Sequence, residues 1–468
     1  MLYPLRLWFG VREPVGQLAF ALSGFGLAAF KYAIEAGLIW LMVGKVFLPQ
    51  DFVNPLLTIR AQLLSGAPPW VGWVLFAWSL PFLWIAISMS VRRAADANLS
   101  PWFGLLVIVP LVNLVWMVAM CFVPRSAHAE WGPTDEIVRR EGQAKDAVIA
   151  VGVSLVAGGV MLAVSIYLFE SYGASLFVGT PLLMGLLASY VFNRHYPRGY
   201  AASTVLGLVA VGCAGVALLL FALEGIICIA MALPILAPLG LLGGLLGKMI
   251  ADTTRRPVKE LMCVALLLPG LAWIESRIAQ SPEYEVLSTV EIDAPPEVVW
   301  RHVVEFPELP PPTEWYFRLG IACPQRARIV GEGVGAMRYC EFTTGTFVEP
   351  VTVWEPGRRL AFDVIEQPEP MFELTPYRHV HPPHLDGSLR SKRGEFRLIA
   401  LPGGRTRLEG RTWYEIEMLP QSYWTLWSND LIHRIHLRVL RHVKQQAEAG
   451  RQEKYYGSSN TLCVFTIA

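Results

Sequence analysis

Ile292-Asp293-Ala294-Pro295-Pro296-Glu297-Val298-Val299-Trp300 joins an alternating segment to a helix. Residues 285–293 alternate as a strand does. Proline then suits the first helical turn, and Glu297 complements the N-terminal dipole. Val298, Val299, Trp300, Val303 and Val304 form an apolar face at helical spacing. Strand candidates follow at 326–330, 336–343, 347–354, 359–366, 394–401 and 406–418. Thr344-Gly345, Glu355-Pro356-Gly357 and Pro402-Gly403-Gly404 punctuate them. Residues 421–448 close the pattern as a long helix, with Trp424, Trp427, Leu431, Ile435, Val439 and Val443 spaced by three or four. One strand, helical segments, six strands and a long helix predict a curved antiparallel sheet wrapped around its last helix. The ends of such a sheet close loosely, so side chains on the concave face line a cavity.

Everything before this region reads differently. The chain has 468 residues, of which 54% are hydrophobic and 16% charged, against roughly 25% charged in an ordinary soluble domain. Net charge is +1, so no global basic field draws it to nucleic acid. Up to about Ile274 the chain is mostly long apolar runs, and this argues against a single soluble globule. A hydrocarbon core needs about 20 apolar residues in helical form. Residues 70–91, 102–123, 147–169, 174–192, 201–223 and 225–247 meet that without charge. Residues 18–44 meet it with Lys31 and Glu35, four apart and able to pair on one face, as an ion path or as a structural pair. Residues 261–274 are shorter, and Lys259 and Glu260 extend them by snorkelling. Eight spans are therefore expected: three in a region 1–125 and about five in 126–275. A soluble domain at 284–448 and a tail at 449–468 follow. Twelve Lys and Arg fall on one side of this arrangement and four on the other, which places the C-terminal domain outside the cytoplasm.

Three motifs carry a family resemblance. The opening quoted above, Glu349-Pro350-Val351-Thr352-Val353-Trp354-Glu355-Pro356-Gly357-Arg358-Arg359-Leu360, and Phe396-Arg397-Leu398 through Gly404-Arg405-Thr406-Arg407-Leu408 resemble, in order, the START-like, helix-grip superfamily. That superfamily includes polyketide cyclase/dehydrase-like and birch-pollen-allergen-like proteins. The resemblance implies a cavity for a hydrophobic ligand, and only some members are enzymes, so the fold leaves function open. Upstream, Val91-Arg92-Arg93-Ala94-Ala95-Asp96 and Ser100-Pro101-Trp102 resemble a small bacterial inner-membrane family of unknown function. Ala94 and Ala95 stand where that family usually has Leu and His, and the resemblance implies no chemistry.

Alternation assigns the expected ligand-binding face: Arg338, Cys340, Phe342, Phe347, Glu349, Val351, Phe362, Phe396, Leu398, Thr412 and Tyr414 from the strands, with Trp427, Leu431 and Ile435 from the helix. Glu349 on that face is costly unless paired. With a turn at 343–346, Cys340 faces Glu349 and Arg338 is its diagonal neighbour. Glu349, Arg338 and Tyr414 are the acid/base candidates if the domain is an enzyme, although a structural ion pair explains the first two as well. His379, His381, His384 and Asp386 form a proline-stiffened loop, read as a lid or an ordered loop over the cavity mouth; zinc is the less favoured alternative, because nothing in the spacing aims those side chains at one point. His433 and His436 lie on the terminal helix, as core histidines or within reach of the cavity. Seven cysteines occur without a Cys-x-x-Cys, and those in apolar runs, Cys228 among them, read as small hydrophobes. Glu224 reads as part of a turn between two spans, with a buried functional acid the less favoured alternative. No cofactor is expected.

Three functions compete. The first is a protein of the bacterial inner membrane that binds a lipid or other hydrophobic small molecule in its C-terminal domain, with the bilayer as its other partner. The second is a cyclase- or dehydrase-like enzyme acting on a hydrophobic carbonyl substrate. The third is the accessory domain of a lipid or small-molecule transporter. The absence of a converging catalytic set favours the first.

Overall fold

The computed structural model describes residues 2–10, 13–53, 63–64, 66–99, 101–108, 112–125, 143–253, 259–278, 281–375 and 380–459. The chain divides into two compact units. One is Met1–Ala157 with Leu182–Val211 and Pro238–Leu268; the other is Gly158–Pro181 with Gly212–Ala237 and Pro269–Ala468.

Among the described residues, six helices are long and apolar enough to cross a membrane: Gln17–Val43, Trp70–Asp96, Ala144–Leu168, Ser175–Phe192, Tyr200–Leu220 and Ile226–Thr253. Two of the eight expected spans are absent from this set. Residues 102–123 do not make one helix. A 3-10 helix, Pro101–Ile108, is followed by Val112–Phe122, which has only 11 residues and reaches about 17 Å. Gly104 lies so close to the backbone of Val91 that any side chain would collide with it, so the segment folds along the preceding helix. Residues 261–274 lie within Lys259–Ile278, a helix of 20 residues with charges at both ends.

In the first unit the Arg92-Arg93-x-x-Asp96 motif has a structural task. Arg92 donates to the carbonyls of Leu7 and Glu13. Arg93 donates to those of Met120 and Val123, and to Asp96 at 2.8 Å. Both arginines are fully buried; the carbonyls of Leu7, Met120 and Val123 that they satisfy lie at helix ends, and that of Glu13 in the connection after the first helix. Small residues bring other helices together: at Gly243 and Gly247 a side chain would strike the carbonyls of Leu182 and Leu186, and at Gly244 that of Thr204. Such close approach is how helices associate in lipid, where apolar burial supplies little drive. Lys31 and Glu35 form the expected ion pair, beside a cavity of about 140 Å³ lined by Phe20, Phe82, Met89 and Met117.

The second unit holds a seven-stranded antiparallel sheet in the order β1-β7-β6-β5-β4-β3-β2. The strands are β1 (Glu283–Ile292), β2 (Pro324–Val330), β3 (Met337–Phe342), β4 (Gly345–Glu355), β5 (Arg359–Asp363), β6 (Leu389–Leu401) and β7 (Arg405–Ile416). Each matches an expected strand. β6 begins five residues before its expected start, because Arg390, Lys392 and Arg393 mask the alternation there. Register shifts in β2, β4 and β6 curl the sheet, as bulges do. Helix Pro296–Val304 starts where the sequence placed it, with Pro296 in its first turn. The terminal helix, Gln421–Ser459, lies in the curl. Leu360, Leu408, Leu440 and Val443 form a sealed core at one end of it. Toward the start of the terminal helix, Tyr414, Ile416 and Trp424 pack with Ala232 from the first turns of helix Ile226–Thr253, and the Trp424 ring meets Phe177 at 4.8 Å. This is a helix-grip fold that follows a set of apolar helices along the chain.

Candidate functional site

The β3–β4 hairpin turns at Thr343-Thr344, pairing Phe342 with Gly345. Arg338 therefore stands directly across from Glu349, and Cys340 across from Phe347. The expected turn at 343–346 was two residues too long, and the correction moves Arg338 from diagonal to facing partner. The two side chains form an ion pair at 2% and 6% exposure. Two rings flank the guanidinium, Phe362 at 4.8 Å and Phe396 at 5.6 Å, a cation–π arrangement. The Phe362 ring occupies the space above Gly394, where an added Cβ would stand 2.5 Å away. Burial pushes the Glu349 carboxyl above the usual range, and Arg338 opposes that shift. Burial likewise lifts the Cys340 thiol to about 12.

Register draws a row across the sheet. Val351 on β4 faces Phe362 on β5, Phe362 faces Gly394 on β6, Gly394 faces Thr412 on β7, and Thr412 faces Val286 on β1. Phe342 and Phe347, whose rings meet at 4.9 Å, continue the face beside the ion pair. Phe342, Phe347, Phe396 and Thr412 remain only partly buried, whereas Val351, Leu360, Leu398 and Leu408 are sealed.

Above Thr412 the terminal helix supplies a polar cluster. Thr412 Oγ1 lies 2.8 Å from His436 Nε2. Ser288 Oγ lies 3.1 Å from His436 Nδ1 and 2.7 Å from His433 Nδ1. A neutral imidazole donates at one ring nitrogen and accepts at the other, so His436 is satisfied by two hydroxyls. Burial lowers its pKa to about 4, with His433 adding to the effect. Ser288 was not singled out in the sequence; its place on an alternating strand opposite two histidines of a helix needs the three-dimensional register. Tyr414 is sealed, and its hydroxyl donates to Asn429 at 2.7 Å; burial raises it to about 12. Trp427 joins the cluster around Tyr414 and Trp424. Leu431 and Ile435 pack on Phe317, Ile321 and Cys323, where residues 315–323 cover the helix.

The histidine loop does not act as one group. His379 lies outside the described residues. His381 pairs with Asp386 at 2.8 Å and Glu369 at 3.1 Å, and the Asp386 hydrogen bond raises its pKa. His384 is buried elsewhere, with Nε2 2.9 Å from Cys228 Sγ. His381 and Asp386 thus stand together and His384 apart from them, so the described residues of the loop do not converge on one point.

A helix-grip domain carried by membrane-type helices is thus the class that fold and site define. Comparison with known families agrees. Residues 284–417 match the model described as polyketide cyclase / dehydrase and lipid transport. Residues 25–133 match that of a protein of unknown function, DUF805. Among solved structures the chain is similar to the Zhui aromatase/cyclase from Streptomyces, at 16% identity over 36% of this chain and 94% of that one, TM-score 0.24. It is similar to norcoclaurine synthase from Thalictrum flavum, at 10% identity over 37% and 98%, TM-score 0.25. It is also similar to a protein from Nitrosospira multiformis, at 18% identity over 35% and 95%, TM-score 0.23. No curated protein matches the chain.

Proposed function

We propose that the C-terminal domain holds a hydrophobic small molecule, a lipid or another apolar compound with a carbonyl or carboxylate end, against the concave face between Arg338 and Thr412. The observation that carries this reading is the contrast along that face. Inward aromatic side chains at Phe342, Phe347 and Phe396 keep accessible surface, while the inward positions beside them are sealed. Arg338 supplies a polar anchor, because its buried Nε has no partner, and a buried unpaired donor costs about 1–3 kcal/mol. The apolar helices fit membrane anchoring.

The test is mass spectrometry of the full chain extracted in mild detergent. About one equivalent of an apolar molecule per chain is expected, lost in Phe347→Trp and Phe396→Trp, which fill the face without altering charge. A site empty in the wild type, together with no binding of fluorescent fatty acids, rejects the reading.

We further infer which side the domain occupies. Ser175 and Glu224 follow odd-numbered crossings, so both lie on one side of the bilayer. Glu275 accepts hydrogen bonds from the Ser175 amide at 3.0 Å and hydroxyl at 2.7 Å, and Glu373 and His384 lie beside Glu224 and Cys228. The chain must therefore return through Lys259–Ile278, whose 20 residues span about 30 Å. Seven crossings put fourteen Lys and Arg (Arg6, Arg12, Arg92, Arg93, Arg125, Arg139, Arg140, Lys145, Arg194, Arg198, Lys248, Arg255, Arg256, Lys259) on one side. Lys45, Arg60 and Arg277 fall on the other. The positive-inside rule then places the N-terminus in the cytoplasm and the helix-grip domain outside it. This support is stronger than that of the eight-span reading.

A further inference from the structure

Four side chains of different chemistry converge where the turn before helix Ile226–Thr253 meets the connection between β5 and β6. Glu224 comes from the turn, Cys228 from the first turn of the helix, and Glu373 and His384 from the connection. One donor atom from each lies within 4.8 Å of all the others. His384 Nε2 is 2.9 Å from Cys228 Sγ, and its Nδ1 is 3.4 Å from Glu224 Oε1.

The backbone around them is fixed. The Ile226 amide donates to the Leu374 carbonyl at 2.9 Å. Glu373 Oε2 accepts from the Ile227 amide at 3.3 Å and presses on Gly225, where any side chain would collide with it. His384 is 8% exposed, its ring edge-on to Tyr172 at 5.5 Å.

The cluster is electrostatically incomplete. Glu224 Oε2, Glu373 Oε1 and His384 Nδ1 are buried without a hydrogen-bond partner. Among the described residues, neither carboxylate pairs with a Lys or Arg. Two carboxylates in one buried space repel one another unless a proton or a cation intervenes, and a thiolate beside them would add to that repulsion. The helix N-terminus alone would disfavour a cation. Here Glu373 already spends one oxygen on that terminus and keeps the other free.

We propose that Glu224, Cys228, Glu373 and His384 form a binding site for a divalent transition-metal ion, with zinc the best match to the donors. A thiolate and an imidazole select against calcium and magnesium, which take all-oxygen shells. A tetrahedral zinc ion, with bonds of about 2.0–2.3 Å, sets its ligand atoms about 3.3–3.8 Å apart. The widest pair closes by about 1 Å and the His384–Cys228 pair opens by about half an ångström to reach that. Four protein ligands leave no open position, so the ion is structural. It clips the β5–β6 connection to the start of the helix.

The experiment uses the full chain in detergent, stripped with chelator and titrated with zinc alone and with cobalt alone. One equivalent of zinc per chain is expected. Bound cobalt should give the thiolate charge-transfer band and the intense visible bands of a tetrahedral site. Cys228→Ser, nearly isosteric, should abolish the charge-transfer band and weaken zinc binding at least tenfold. Glu373→Gln should weaken it by a smaller factor, and His381→Ala should leave it unchanged. Wild-type protein that takes up less than about a tenth of an equivalent overturns the proposal. So does zinc binding that survives both Cys228→Ser and His384→Ala at full affinity, which would mark an adventitious ion only.

Discussion

His436 shows how much one buried side chain can report. Its pKa is about 4 in the folded chain, against about 6.5 unfolded. Between those values the unfolded chain binds more protons. The neutral ring's contribution is intact above about pH 6.5 and is lost as pH falls toward 4, by at most about 3 kcal/mol. Thermal unfolding in detergent at pH 7 and pH 5 should give a lower Tm at pH 5, and His436→Gln should shrink that difference; an equal difference in the variant would exclude His436 as its source. At this scale the sequence was half legible. An inward Glu349 demanded a partner, and Arg338 was the nearest cation, so their pairing could be read from alternation and the cost of a buried charge. Their register could not, because it depends on whether Thr343-Thr344 alone makes the turn. Cys228 and His384 were unreadable as partners. Cys228 looked like any small apolar residue in a membrane run, and their meeting depends on two distant segments docking.

Helices and strands differed in how openly the sequence declared them. The seven strands stood out because Gly and Pro turns bracket alternating runs. The segment after Pro101 misled, because hydropathy measures apolarity and says nothing of whether a backbone continues as one helix. Gly104 was the clue, since a glycine facing Val91 lets the chain lie flat against its predecessor. Close approach through glycine also holds helix Ile226–Thr253 to its neighbours. Gly243→Ala should lower the Tm of the detergent-solubilised chain, since an added methyl group must displace the Leu182 carbonyl at a cost of about 1–3 kcal/mol. Gly152→Ala, with nothing within 4 Å of the new atom, should leave Tm unchanged or raise it slightly. Equal effects at both positions would show that backbone contact at Gly243 is not what holds these helices.

At the scale of the whole molecule, composition announced a part rich in apolar helices and a mixed-composition part, and six of the described helices, against eight expected spans, are long and apolar enough to cross a membrane. The seven-crossing arrangement predicts that a phosphatase fused after Ser459 is active in a bacterial host and a fluorescent protein fused there is dark; the reverse pattern would place the domain in the cytoplasm. The second unit also draws on three separate stretches of chain. Phe177 and Ala232, translated earlier, become the seat for Trp424, Tyr414 and Ile416, which are translated later. Biogenesis is thereby ordered: the seat must be in place before residues 269–468 can complete their packing. A fragment that starts after the last crossing would carry an unmatched greasy end into water.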